Sequence, residues 1–175
     1  VGSDIDGETG DHLGFRISLS GDGQVLATCS GYDDNWPPNN PYVRIYQNIN
    51  NNWIQVGSDI NQLGYGVSLS HDGTIVAING NYRYQNVDGN WIQKGGKIEG
   101  WPASSLSSDG SIIANVMQDY DWDADTESET GYITLYKFVE PLDVSSHQSG
   151  TSYFLENIRD YDGNLHANTG NVSDA

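Results

Sequence analysis

One short phrase occurs three times in this chain, and a repeat of that kind constrains the fold more than any other feature. Ser18-Leu19-Ser20-Gly21-Asp22-Gly23 returns as Ser68-Leu69-Ser70-His71-Asp72-Gly73 and again as Ser105-Leu106-Ser107-Ser108-Asp109-Gly110. A second phrase travels with it, Trp53-Ile54-Gln55-Val56-Gly57-Ser58-Asp59-Ile60 and Trp91-Ile92-Gln93-Lys94-Gly95-Gly96-Lys97-Ile98, and the chain opens on the tail of another copy, Val1-Gly2-Ser3-Asp4-Ile5. Self-similarity at this period implies supersecondary units that bury their faces against one another.

Each unit reads as four short strands. In the second copy the first strand is Tyr65 to Ser70, the Asp72-Gly73 turn follows, and Ile75-Val76-Ala77-Ile78 is apolar throughout, as expected of a strand covered on both faces. Asp-Gly between strand-like runs predicts a tight hairpin with Gly at positive φ, a primed turn. The third strand alternates in Tyr42 to Gln47 and in Gly131 to Lys137, and the Trp-Ile-Gln phrase is the fourth, entered through Asn48 to Asn52 or Asp88-Gly89-Asn90. Four antiparallel strands per unit is the blade of a β-propeller. The predicted class is therefore all-β, with three propeller-like blades over residues 1–140 and a polar tail, or the start of a truncated module, over 141–175.

The start on a fourth strand and the end on a third predict a permuted ring, in which the first segment completes the last blade. Propellers have about four blades or more, so three repeats imply an incomplete ring. The open possibilities are self-association, the missing blades of a longer chain, or another β arrangement. Beginning at Val1 in mid-repeat, the sequence reads as an excised or processed piece.

Composition narrows the partners. Seven basic against 24 acidic residues give a net charge of −17. That charge opposes nucleic acid and anionic membranes. No apolar run reaches spanning length, so membrane insertion is not expected. The single Cys29, in a strand-like run, reads as a small core residue.

The phrases resemble a repeat family of large surface or secreted proteins of marine cyanobacteria and other aquatic microbes. Its pattern runs W-x-Q-x-G-x-D-I-x-G-E, then G-D-x-x-G-x-S-x-S-L-S-x-D-G-x-x-V-A, then V-R-x-Y, and the second copy here lacks the Gly-Asp, beginning Leu63-Gly64-Tyr65-Gly66. Val1 to Glu8, Gly10 to Ser20 and Val43-Arg44-Ile45-Tyr46 carry the match, which covers about residues 1–140. The repeats are also faintly similar to the FG-GAP repeats of integrin-type propellers, whose blade loops often bind calcium through D-x-D-x-D-G; that motif does not occur here. Tyr153 to Ala167 resembles the start of C-terminal modules in similar proteins. These resemblances imply an extracellular or cell-surface location and no particular reaction.

Unit lengths differ mainly between the second and third strands, and variable loops on a constant frame are where function concentrates. The third loop holds Asp119-Tyr120-Asp121-Trp122-Asp123-Ala124-Asp125-Thr126-Glu127-Ser128-Glu129 without a basic residue. Alternate side chains of an extended segment share a side, and oxygen-rich, like-charged ligands suit calcium. Asp119, Asp121, Asp123, Asp125 and Glu127 are the candidate ligands and calcium the candidate cofactor; the same residues also read as a solvated acidic loop. Asp160-Tyr161-Asp162-Gly163-Asn164 is a second metal candidate or an ordinary turn.

Tyr32, Trp36, Tyr120 and Trp122 are candidate stacking residues for a glycan, or rings covering blade edges. Trp53 and Trp91 recur with the frame and read as packing residues. His12, His71, His147 and His166 are scattered, and no nucleophile elbow, phosphate loop or zinc spacing is present. The expected function is a non-catalytic binding or adhesion module for a glycan or protein ligand. The alternative is a self-assembling component of a surface layer, filament or appendage.

Overall fold

The computed structural model describes residues 2–30, 41–98, 101–118, 131–139 and 154–157. Among these residues there is no helix, and twelve strands form three antiparallel sheets of four. The first holds β1 (Arg16–Leu19), β2 (Val25–Cys29), β3 (Val43–Ile49) and β4 (Asn52–Gln55) in chain order. The second holds β5 (Val67–Leu69), β6 (Ile75–Ile78), β7 (Tyr82–Val87) and β8 (Asn90–Gln93). The third runs β9 (Trp101–Leu106), β10 (Ile112–Gln118), β11 (Gly131–Val139) and β12 (Phe154–Asn157). The chain is thus an all-β protein of propeller-like blades.

The recurring phrase assigns each of its residues a separate task. Its second serine and its aspartate lock the first turn. Ser20, Ser70 and Ser107 donate their hydroxyls to Asp22, Asp72 and Asp109 at 2.7, 2.6 and 2.6 Å. The same hydroxyls accept the N–H of Val25, Ile75 and Ile112. Each aspartate also caps the N–H two residues on, at Gln24, Thr74 and Ser111. Gly23, Gly73 and Gly110 close the turn at φ near +70°, while the aspartates before them keep negative φ. This corrects the expected primed turn, which needs positive φ at its central residues. The side chain of Asp supplies the turn, and only Gly enters the left-handed region. Positive φ at two consecutive residues occurs instead between the third and fourth strands, at Asn50-Asn51 and Asp88-Gly89, and between the second and third strands of sheet two, at Asn79-Gly80.

The first serine of the phrase joins neighbouring sheets. The Leu69 N–H donates to the Ser18 hydroxyl at 2.9 Å and the Leu106 N–H to the Ser68 hydroxyl at 3.0 Å. A backbone series runs beside it: the Gly21 N–H donates to the His71 carbonyl at 2.8 Å, and the His71 N–H to the Ser108 carbonyl at 2.7 Å. Equivalent turns therefore stand side by side, with β1, β5 and β9 adjacent.

Two cores fill the junctions between sheets. The first packs Ala27, Cys29, Val43 and Ile45 of sheet one against Leu69, Val76, Ile78 and Tyr84 of sheet two. The second packs Ile75 and Ala77 of sheet two against Leu106, Ile113 and Phe138 of sheet three. Cys29 is fully buried there, as its strand context implied, and burial pushes its thiol pKa up. Trp91 packs on the first core, and its indole N–H donates to the Val56 carbonyl at 3.0 Å.

The fourth strand of the third sheet differs from expectation. β12, drawn from the tail, pairs with β11 from Tyr136↔Asn157 to Val139↔Phe154. Residues 2–7 form no strand. They repeat the path of the later connecting phrases: Gly2 lies against Trp53 just as Gly57 lies against Trp91. That phrase is a connector laid over the outer strand of the following sheet, with Ile60 bridging back to Val43.

Candidate functional site

The acidic ligands Asp119, Asp121, Asp123, Asp125 and Glu127, the aromatic residues Tyr32, Trp36, Tyr120 and Trp122, and the Asp160–Asn164 turn lie outside the described residues. Topology fixes at which end of the frame the described strands flanking the acidic and aromatic residues stop. In an antiparallel sheet successive connections alternate between its two ends. The connections 30–42, 79–81 and 119–130 therefore all leave the frame at the end opposite the Asp-Gly turns. Two long connections flank one short one at that end. The short one is held by Asn79, whose side-chain Oδ1 accepts from the Tyr65 and Gly66 N–H groups at 2.7 and 3.1 Å.

At the base of the first long connection, Ser30 and Tyr42 pair through backbone and hydroxyl. Beside them stands a charged cluster that sequence reasoning missed. Arg44 donates to both oxygens of Asp59, at 2.9 and 3.0 Å, and reaches Glu8 at 3.1 Å. Its guanidinium lies 4.1 Å from the centre of the Tyr42 ring, and the Tyr42 hydroxyl donates to Asp11. Asp11 in turn accepts the N–H of Glu8 and Leu13. The hydrogen bond from Arg44 lowers the Asp59 pKa and raises that of Arg44 further above its ordinary value. Burial, helped by the bond to Asp11, raises that of Tyr42. Burial alone would raise Asp11, but the bonds from Tyr42, Glu8 and Leu13 outweigh it and lower its pKa. The signal was present in the sequence. Asp59 belongs to the connecting phrase and Arg44 to the V-R-I-Y strand.

Asp59 also lines a cleft of about 420 Å³, together with Asn61, Asn90, Tyr84 and Trp91. A carboxylate, two amides and two rings offer a hydroxyl-rich ligand acceptors, donors and a stacking surface. Among the described residues, no group of three or more His, Cys, Asp or Glu is placed to hold a metal ion. No helix among them is long and apolar enough to cross a membrane.

No family model matches the chain, and no curated protein is similar to it at a significant level. Among solved structures, the crystal structure of TolB from Acinetobacter baumannii is similar, at 15% identity and a TM-score of 0.43, over 83% of this chain and 33% of that one. The chain thus spans about a third of that protein's length.

Proposed function

We propose that this chain is a non-catalytic binding or adhesion module of a larger extracellular or cell-surface protein, which presents loops of unequal length to a glycan or protein ligand. One observation carries the reading: a constant frame sends two long connections and one short one out at the same end. Those connections hold Tyr32, Trp36, Tyr120 and Trp122, and the acidic one also holds the five carboxylates assigned to calcium. The cleft beside Asp59 and Trp91 adds a second polar and aromatic surface of the same chemistry. The test is a glycan array with the intact chain and with Trp36→Ala and Trp122→Ala. Binding that both variants lose, with the melting temperature unchanged, supports the reading. An array without signal, or one indifferent to both substitutions, overturns the glycan form of it. Calcium at the acidic connection raises the melting temperature over a chelator control at equal ionic strength, because a ligand bound only by the folded state stabilises it.

A second reading, a self-assembling surface component, is favoured by the two uncovered apolar end faces. Ordered polymers in electron micrographs, with no ligand bound, would select it.

A further inference from the structure

The three sheets stack in one direction, so the stack has two unlike ends. At one end, sheet one exposes the face that sheets two and three bury. Leu19 is 55% exposed, whereas its equivalents Leu69 and Leu106 are 8% and 9% exposed. Ile17 beside it is 67% exposed. Gly23 shows the same vacancy. A Cβ on Gly73 would lie 2.6 Å from Val25 of the preceding sheet, and one on Gly110 2.5 Å from Ile75, but one on Gly23 would meet nothing nearer than Leu19 of its own sheet at 3.8 Å. At the other end, sheet three presents Ile112, Ala114, Val116 and Ile133, the last 64% exposed. The first two are the equivalents of Ile75 and Ala77, which the next sheet buries.

The polar groups at these ends are complementary as well. Within the stack, each sheet gives the next one an N–H at the turn and receives one at its serine hydroxyl. Sheet three ends with the Ser108 N–H and the Ser105 hydroxyl without such a neighbour among the described residues. Sheet one begins with the Gly21 carbonyl and the Leu19 N–H in the same state. The donor of one end fits the acceptor of the other, and the acceptor fits the donor. Contact between unlike faces of identical chains is heterologous, and it closes into a ring when the rotation allows. Two copies of three sheets make six, inside the range of roughly four to eight blades over which such rings close.

We infer that the two end faces are each other's partners and that two copies of this chain close head to tail into a six-bladed ring. Ile112 then seats on the partner's Gly23, and Leu19 enters the core that the partner's Ala114 begins. The pairing stands independently of what the loops bind.

Sedimentation of the full chain tests it. The wild type is expected at twice its 19.2 kDa mass. Leu19→Asp alone and Ile133→Asp alone each break both contacts of the ring and halve that mass. Mixing the two variants restores a two-chain species, because one contact between wild-type faces is then available. Both positions are solvent-exposed within one chain, so far-ultraviolet circular dichroism stays that of the wild type. If either variant loses it, Ile17→Asp replaces the first and Ala114→Arg the second. A wild type sedimenting as a single chain at tens of micromolar would overturn the ring. So would variants that keep the wild-type mass, a mixture that stays monomeric, or a series of ever larger species.

Discussion

The two junctions between sheets share their backbone bonds and differ in what fills the space between them. In the first, Cys29, Val43 and Ile45 meet Ile78, and all four are buried apolar residues. The equivalent positions of the second junction are Asn79, Asn81, Arg83 and Asn115, which are buried as well. There the polar groups reach carbonyls. Asn81 donates to Ile98 at 2.5 Å, Asn115 to Gly80 at 3.4 Å, and the Arg83 Nε to Gly110 at 3.1 Å, with its guanidinium 4.9 Å from the centre of the Phe138 ring. The frame thus demands the serine, turn and glycine contacts at each junction. It tolerates either oil or hydrogen-bonded polarity in the interior. A buried polar group that finds a partner contributes a modest net stabilisation, while one left without a partner is costly. The second junction therefore holds less apolar burial and more geometric requirement.

The largest expected effect separates the two. Ile78→Ala opens a cavity in the first junction and should cost about 2–5 kcal/mol in denaturant unfolding. Arg83→Ala strands the Gly110 carbonyl and strips the Phe138 face in the second, at about 1–3 kcal/mol. An Arg83→Ala cost equal to or above that of Ile78→Ala would reverse the ranking of the junctions.

Next come the turn glycines, which sharpen the contrast between closed junctions and the open end. Alanine at Gly23, Gly73 or Gly110 meets the same backbone strain, about 1–2 kcal/mol, because all three sit at φ near +70°. At Gly73 and Gly110 it also collides with Val25 or Ile75, which adds about 1–3 kcal/mol. Equal costs at the three sites in thermal melts would show that the turn, not the junction, requires the glycine. In the head-to-tail ring, Gly23 gains the same neighbour and its penalty rises with protein concentration.

The smallest effect is the loss of the turn locks in acid. The Ser107 hydroxyl and then the Ser111 N–H hold the Asp109 pKa at about 2, below the ordinary 3.8. The Gln24 N–H and then the Ser20 hydroxyl lower that of Asp22. Burial would raise Asp72, but Ser70 and Thr74 outweigh it and lower its pKa. Each folded value lies below its unfolded one, so the stabilisation is whole above the ordinary carboxylate range and drains as pH falls through it toward 2. The melting temperature should decline over that window, and Asp109→Asn should flatten part of the decline.

Much of this frame was legible in the residues. The Ser-Leu-Ser-x-Asp-Gly phrase marked the first hairpin of every unit, Ile75–Ile78 read as a strand covered on both faces, and Trp-Ile-Gln marked the fourth strand of the first two sheets. These are local signals, in which side chain, turn and strand lie within a few residues of one another. The functional loops were legible as composition only. The charged cluster of Arg44, Asp59, Glu8 and Asp11 went unread, because its members come from three segments that only the fold brings together.

By itself, then, the sequence determined the unit: four strands, a turn locked by serine and aspartate, and a repeat three units long. The tertiary structure decided how units meet. It gave the first serine to the neighbouring sheet and laid the Val-Gly-Ser-Asp-Ile connector over the next tryptophan. It drew the last strand of the third sheet from the tail where the opening segment was expected. Pairing across long sequence separations depends on which edge is free and which face is uncovered once the other sheets are in place. No local pattern encodes that geometry, whereas a turn or an apolar strand is written in consecutive residues.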